Sequence, residues 1–250
     1  MGIEQLVTDG IGEVIIDRPP VNALDVKSWF ELASTLRGLG DDPAVTVVVL
    51  RAEGKGFCAG VDIKELQAEP EAIVGVNRGC YEAFAAVYEC GVPVIAAVQG
   101  FCLGGGIGLA GNADIVIASD DATFGLPEVD RGALGAATHL ARLVPQHRMR
   151  AMVYTGATAT AAELHEYGSV LEVVLRAQLR DTAMKVAREI AAKSPTIIRR
   201  AKESLNGIDP VDVKRSYRFE QGFTYELNLS GVSDEARQAF IDKRDATFEK

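Results

Sequence analysis

Two kinds of apolar pattern alternate along most of the chain. Val14-Ile15-Ile16, the run from Val45 to Leu50, the run from Val92 to Val98 and the run from Ala113 to Ala118 are short and rich in β-branched residues, and each predicts a strand. Between them the apolar spacing lengthens to that of a helix. Asp25 is placed to cap a helix reaching about Leu39, with Trp29, Leu32, Ala33 and Leu36 on one face. A second helix, near Val74 to Glu89, presents Val76, Cys80, Phe84 and Val87. Each early strand leads into a glycine-rich turn rather than a hairpin. Strand and helix alternate to about residue 175, which predicts an α/β architecture with crossover connections. After Gln178 the pattern is helical only, over 180–193, 197–206, 211–228 and from Asp234 onward, with Pro195 and Pro210 as punctuation. The expected division is a core over 1–195 and a helical region over 196–250.

Composition narrows the function. The 250 residues hold 26 Lys+Arg against 35 Asp+Glu, a formal net charge of −9, and no basic run, so nucleic acid is excluded as an expected partner. No apolar stretch is long enough to span a bilayer, and Met1–Gly10 lacks the features of a signal peptide, so the expected setting is the cytoplasm, away from membranes. Cys58, Cys80, Cys90 and Cys102 show no CxxC spacing and are expected to be reduced and buried. His139, His147 and His165 are scattered with no HExxH, so no metal is expected.

Candidate chemistry gathers at two glycine-rich turns. Gly106-Ile107-Gly108-Leu109-Ala110-Gly111 satisfies GxGxxG, but it lies mid-chain and leaves little sequence for a substrate half. Gly104-Gly105-Gly106 opening a helix is better read as a set of exposed backbone N–H groups. The segment Gly56–Glu65 repeats the arrangement after another strand, with Val61 offering an N–H, Asp62 in the first helical turn and Lys64 beside it. N–H groups converging from two loops are what polarising a carbonyl needs.

The segments FCAGVDIKEL and VIAAVQGFCLGGGIGLAGNADIVIASDDATFGLPEV resemble the signature of the crotonase (enoyl-CoA hydratase/isomerase) superfamily, as do RPPVNALD, GLPE at 125–128 and AFIDKR near the end. The resemblance covers nearly the whole chain. It implies a spiral of ββα turns, C-terminal helices that assemble a homotrimer or a dimer of trimers, and a coenzyme A thioester as substrate, with no separate cofactor. Carried over by position, the oxyanion-hole N–H groups are those of Val61 and Gly105, beside Gly104. Ala59 and the segment Arg18–Leu24, including Ala23 and Leu24, border the adenine and pantetheine. Asp62 and Ile63 adjoin them, and Lys64, with Phe240 and Lys243 from a neighbouring subunit, approaches the nucleotide phosphates.

Hydratases of the superfamily use two glutamates. The second matches Glu128; the first falls on Gly108, which leaves one carboxylate and, by the loss of bulk, room for a large acyl group. Asp130 and His139 are the further catalytic candidates, against the simpler readings that Asp130 pairs with Arg131 on the surface and that His139 packs or caps a helix. Tyr217, Glu220 and Tyr225 lie where a helix can roof the pocket. NRGCYEAFAAVYECGVPVIAAVQGF and ATFGLPEVDRGALGAATHLARLVPQH further resemble a subgroup of ring-opening coenzyme A thioester hydrolases from actinobacterial steroid catabolism. That likeness implies retro-Claisen hydrolysis of a bicyclic diketone. The alternatives are a hydratase or isomerase of linear acyl-CoA working with one glutamate, and a non-catalytic acyl-CoA binder.

Overall fold

The computed structural model describes residues 2–69 and 71–247. Strands β1 (Gly2–Thr8) and β2 (Ile11–Asp17) form an antiparallel hairpin through Asp9-Gly10, a connection the sequence reading did not anticipate. Asp9 (φ 52°) and Gly10 (φ 78°) both take positive φ, the backbone of a two-residue turn whose twist matches the strands. Asp-Gly between apolar runs was the available signal.

From β2 the chain passes through the short strand β3 (Ala23–Leu24) into α1 (Val26–Asp41), which starts at Asp25, whose carboxylate accepts from Ser28 N. A repeating motif follows. Strand β4 (Val47–Ala52) enters the main sheet, β5 (Gly60–Val61) leaves it, and helices α2 (Ile63–Ala68) and α3 (Ala72–Tyr88) return the chain. Next come β6 (Val94–Val98), β7 (Phe101–Leu103) and α4 (Gly105–Ala110); then β8 (Ile115–Ser119) and β9 (Thr123–Gly125), followed by a 3₁₀ turn over Pro127–Arg131 and α5 (Ala137–Leu140). Helix α6 (Gln146–Thr155), β10 (Thr158–Thr160), α7 (Ala161–Glu166) and β11 (Glu172–Val174) complete the part where strands alternate with helices, close to residue 175 as predicted.

The long strands form a six-stranded sheet in the order β1-β2-β4-β6-β8-β11, parallel from β2 onward. A parallel sheet must be covered on both faces, and the alternation within β4 shows how. Val48 and Leu50 join Val14, Ile16, Trp29 and Leu36 in the main core, while Val47 and Val49 face a second core under α8 (Leu179–Ala191), with Leu179, Ala183 and Ala187. The short strands build a separate layer, in which β3 pairs with β5 and β9 lies between β7 and β10. Helices α9 (Pro195–Gly207), α10 (Val213–Leu229) and α11 (Val232–Asp242) close the chain, so the expected shift to helix alone is present. Arg199 of α9 donates to Gly40, Asp42 and Val45 carbonyls, and Lys202 pairs with Asp114 at 2.8 Å, which docks α9 on the core. Residues 248–250 of the expected C-terminal region lie outside the described residues.

Candidate active site

The site is assembled where the turns after β4 and β6 are zipped together. Leu103 N donates to Cys58 O at 2.9 Å, and Phe57 N to Phe101 O at 3.0 Å. This pairing sets Gly60-Val61 beside Gly104-Gly105. A Cβ built on Gly60 would lie 3.1 Å from Gly105 N, so the approach tolerates no side chain there. On the β3 side, Asp62 N donates to Leu24 O at 3.0 Å; with the alternation of a parallel ladder, the Val61 N–H therefore faces away from β3. Gly105 is the first residue of α4, where backbone N–H groups have no partner within the helix.

Glu128 stands over this floor. Gly104 has φ +55°, a backbone that favours glycine, and a Cβ there would lie 2.5 Å from Glu128 Oε1, so a side chain would push the carboxylate from its place. Oε2 of Glu128 is buried without a hydrogen-bond partner. Burial pushes the Glu128 pKa up to about 7, with Glu220 adding to the rise and Arg131 opposing it. A carboxyl poised near neutrality can both accept and return a proton.

The cleft above has a cavity volume of about 110 Å³ and is partly open to solvent. Ala59, Val61, Ile63, Gly104, Gly105 and Glu128 line it together. The other candidates sit elsewhere. Asp62 caps α2 by accepting from Lys64 N at 3.0 Å, and Lys64 projects from that helix into solvent. Arg18 pairs with Asp25 at 2.6 Å. Leu24 is fully buried in the core and Ala23 pairs with Gly60, so this segment supports β5 from behind instead of lining the cleft.

Three expectations need correction. Asp130 and Arg131 do not pair. Residues three apart in a 3₁₀ turn eclipse one another, so Glu128 and Arg131 share the cleft face, while Asp130 is exposed and turned against Gly156. His139 does not reach the cleft. It is buried behind Phe84 and Tyr217, with ring centroids 5.0 and 4.8 Å away, neither ring nitrogen has a partner, and burial pushes its pKa down to about 3. Its packing role, not a catalytic one, is what the geometry shows. Gly108 does not open space for a large acyl group, because the Phe84 ring fills the volume that a side chain at 108 would occupy. Within this chain Arg131 lies over the Phe240 ring at 4.5 Å, and Lys243 is exposed at the end of α11.

Sequence reasoning named Tyr217 for the roof of the cleft but missed its other members. Asn77 and Phe84 lie seven residues apart on one face of α3, a spacing legible in the sequence, though only Phe84 was singled out there, as part of the helix's apolar face. Ser233 and Arg237 arrive from α11, and Tyr217 and Thr224 from α10. Glu220 does not line this cleft wall; its carboxylate accepts from Ala137 N at 2.8 Å and Thr138 N at 2.6 Å, capping α5. All four cysteines are free and buried. Among the described residues no helix is long and apolar enough to cross a membrane.

Known proteins share both the sequence and this architecture. The chain is 64% identical over 236 residues, 94% of its length and 92% of the relative's, to the (7aS)-7a-methyl-1,5-dioxo-2,3,5,6,7,7a-hexahydro-1H-indene-carboxyl-CoA hydrolase of Rhodococcus jostii. It is 61% identical to the protein of the same name from Mycobacterium tuberculosis, over 94% of this chain and 96% of that one. The crystal structure of an enoyl-CoA hydratase/isomerase from Pseudoalteromonas atlantica superimposes with a TM-score of 0.88 at 26% identity, covering 100% of both chains. The family model described as enoyl-CoA hydratase/isomerase matches residues 7–250, and with the paired turns and the spiral already in view, the chain belongs to the enoyl-CoA hydratase/isomerase family.

Proposed function

We propose that the protein is a hydrolase that opens a ring of a bicyclic diketone carrying a coenzyme A thioester, by retro-Claisen C–C cleavage in steroid ring degradation. The observation that carries this reading is Glu128, the one carboxylate lining the cleft among the described residues, with its Oε2 buried over two donor-bearing turns, in a chain 61–64% identical to relatives named for such a thioester. Glu128 takes a proton from water, and the hydroxide adds to the ring ketone. The C–C bond breaks as the new carboxyl group forms, and the electron pair moves to the thioester oxygen. Val61 and Gly105 N–H groups hold that enolate; removing one such donor costs roughly 3 kcal/mol of transition-state stabilisation. Protonated Glu128 then returns its proton to carbon. The steps balance without a separate cofactor, coenzyme A being part of the substrate.

Hydration of a linear enoyl-CoA by a pair of glutamates is disfavoured by Phe84, which occupies the place beside Gly108 where a second acid would project. We place the thioester arm along Ala59 and Ile63 toward Lys64, with Lys243 and Phe240 near the outer end. The oligomer proposed is a trimer or a dimer of trimers, supported by the exposed apolar side chains of Ile197, Phe219 and Leu229 on α9 and α10. An exposed apolar face of this kind marks an interface, and a monomer in sedimentation would refute the assembly.

The test of the activity is incubation with a synthetic bicyclic dione-CoA thioester, followed by mass spectrometry. Addition of one water with coenzyme A still attached is the expected result. Release of free coenzyme A thiol, or recovery of unchanged thioester, overturns the reading.

A further inference from the structure

The cleft contains a cation that forms no ion pair among the described residues. Arg237 lines the same cleft, but its guanidinium is engaged by Asn228 and Asp234. Lys64 stays outside. Arg131 is different: among the described residues it has no ion pair, and its one recorded partner is the Phe240 ring, with the guanidinium carbon 4.5 Å from the centroid. Such stacking orients the guanidinium plane without consuming its N–H donors. The 3₁₀ turn sets Arg131 on the same face as Glu128, one turn further along, so both point into one volume.

A second donor in that volume is also unsatisfied. Asn77 is 6% exposed, lines the cleft, and its Nδ2 has no acceptor. Buried polar groups left without partners in a cleft are those a ligand is expected to complete. The acyl end of the ligand therefore carries oxygen atoms, one of them able to become anionic.

We infer that Arg131 binds the carboxylate produced when the ring ketone is hydrolysed, and that it engages the same oxygens as they form in the tetrahedral adduct. This rests on the proposed ring-opening reaction. In that reaction the ketone oxygen and the water oxygen end on one carbon, as a carboxylate, while the electron pair of the broken bond leaves toward the thioester. The two negative charges thus develop at opposite ends of the acyl group. Backbone N–H groups meet one end, and the planar fork of Arg131, suited to two oxygens at once, meets the other. Asn77 Nδ2 donates to a remaining ring oxygen.

The test compares affinity for two probes by calorimetry: the chemically prepared ring-opened thioester acid and its primary amide. The wild type should prefer the acid by about tenfold or more, the scale of a hydrogen-bonded charge pair. R131M should bind both alike, with turnover on the dione thioester lowered about 10²-fold, and R131K should recover part of each. Asn77→Leu should weaken both probes equally. A merely structural Arg131 would leave the preference for acid over amide intact, so unchanged discrimination in R131M overturns the inference; if R131M does not fold, unchanged discrimination and turnover in R131K do the same. Failure of the wild type to open the dione ring overturns the ring-opening reading and this inference together, whereas ring opening with an unaffected Arg131 variant overturns the inference alone.

Discussion

Replacing Glu128 by Gln separates what this residue does for chemistry from what it costs the fold. The carboxyl is raised from 4.5 to about 7 by burial. A raised carboxylate pKa means that the folded protein favours the protonated form. The associated stability is present below pH 4.5 and is lost as the pH rises through about 7. At about 1.4 kcal/mol per pKa unit, the ionised wild type forgoes about 3 kcal/mol at pH 8, an upper value because the cleft admits water to part of the side chain. Gln is never charged and avoids that cost. Glu128→Gln should therefore melt several degrees higher than wild type at pH 8, at about 2–4 °C per kcal/mol for a chain of this size, and at the same temperature near pH 4. Turnover should fall by about 10² to 10⁴, while affinity for a coenzyme A thioester survives. In the wild type, kcat/KM should drop about tenfold per pH unit below pH 7, where the base is protonated. Differential scanning fluorimetry across pH, with steady-state kinetics on the dione thioester, reads both effects. If the two proteins keep the same melting difference at pH 4 and pH 8, Glu128 is not a buried, strained carboxylate; if the variant retains wild-type turnover, another residue is the base.

Three further outcomes follow from the same geometry. Gly104→Ala combines a positive φ of 55° with a Cβ 2.5 Å from Glu128 Oε1, so turnover should fall about 10²-fold with a smaller change in KM, measured by steady-state kinetics; an active variant would show that the carboxylate does not sit above this turn. Gly108→Ala forces a methyl into the Phe84 ring and should cost about 1–3 kcal/mol in denaturant unfolding, an amount that Phe84→Leu in the same chain should partly return. His139, held neutral by burial with a pKa of about 3, supports the fold fully above pH 6.5 and progressively less as the pH falls toward 3, so His139→Leu should flatten the acid limb of the melting curve while leaving turnover near wild type; an unchanged acid limb would mean that the ring is not the group taking up protons on unfolding.

Much of the fold was legible because its signals are local. Runs such as Val45–Leu50 are too short and too β-branched for helices, and their burial on both faces is what a parallel sheet demands. The two glycine-rich turns, the helix caps at Asp25 and Asp62, and Glu128 behind Pro127 could likewise be read residue by residue. What lay within three or four positions was accessible. The hairpin at Asp9-Gly10 was equally local and was passed over.

Tertiary structure alone decided which of these groups meet and what each becomes. Nothing in the order of residues says that Phe84 fills the volume beside Gly108, since the two are brought together by the packing of α3 on α4. Whether His139 is a catalyst or core depends on the rings of Phe84 and Tyr217 around it, and those come from two distant helices. The ionisation of Glu128 depends on the same kind of fact: a carboxylate's pKa is set by the water it loses and the charges it faces, and both are properties of assembled space. The amino-acid sequence determined the parts, their periods and their turns. Their electrostatics and their company were determined only when the chain closed on itself.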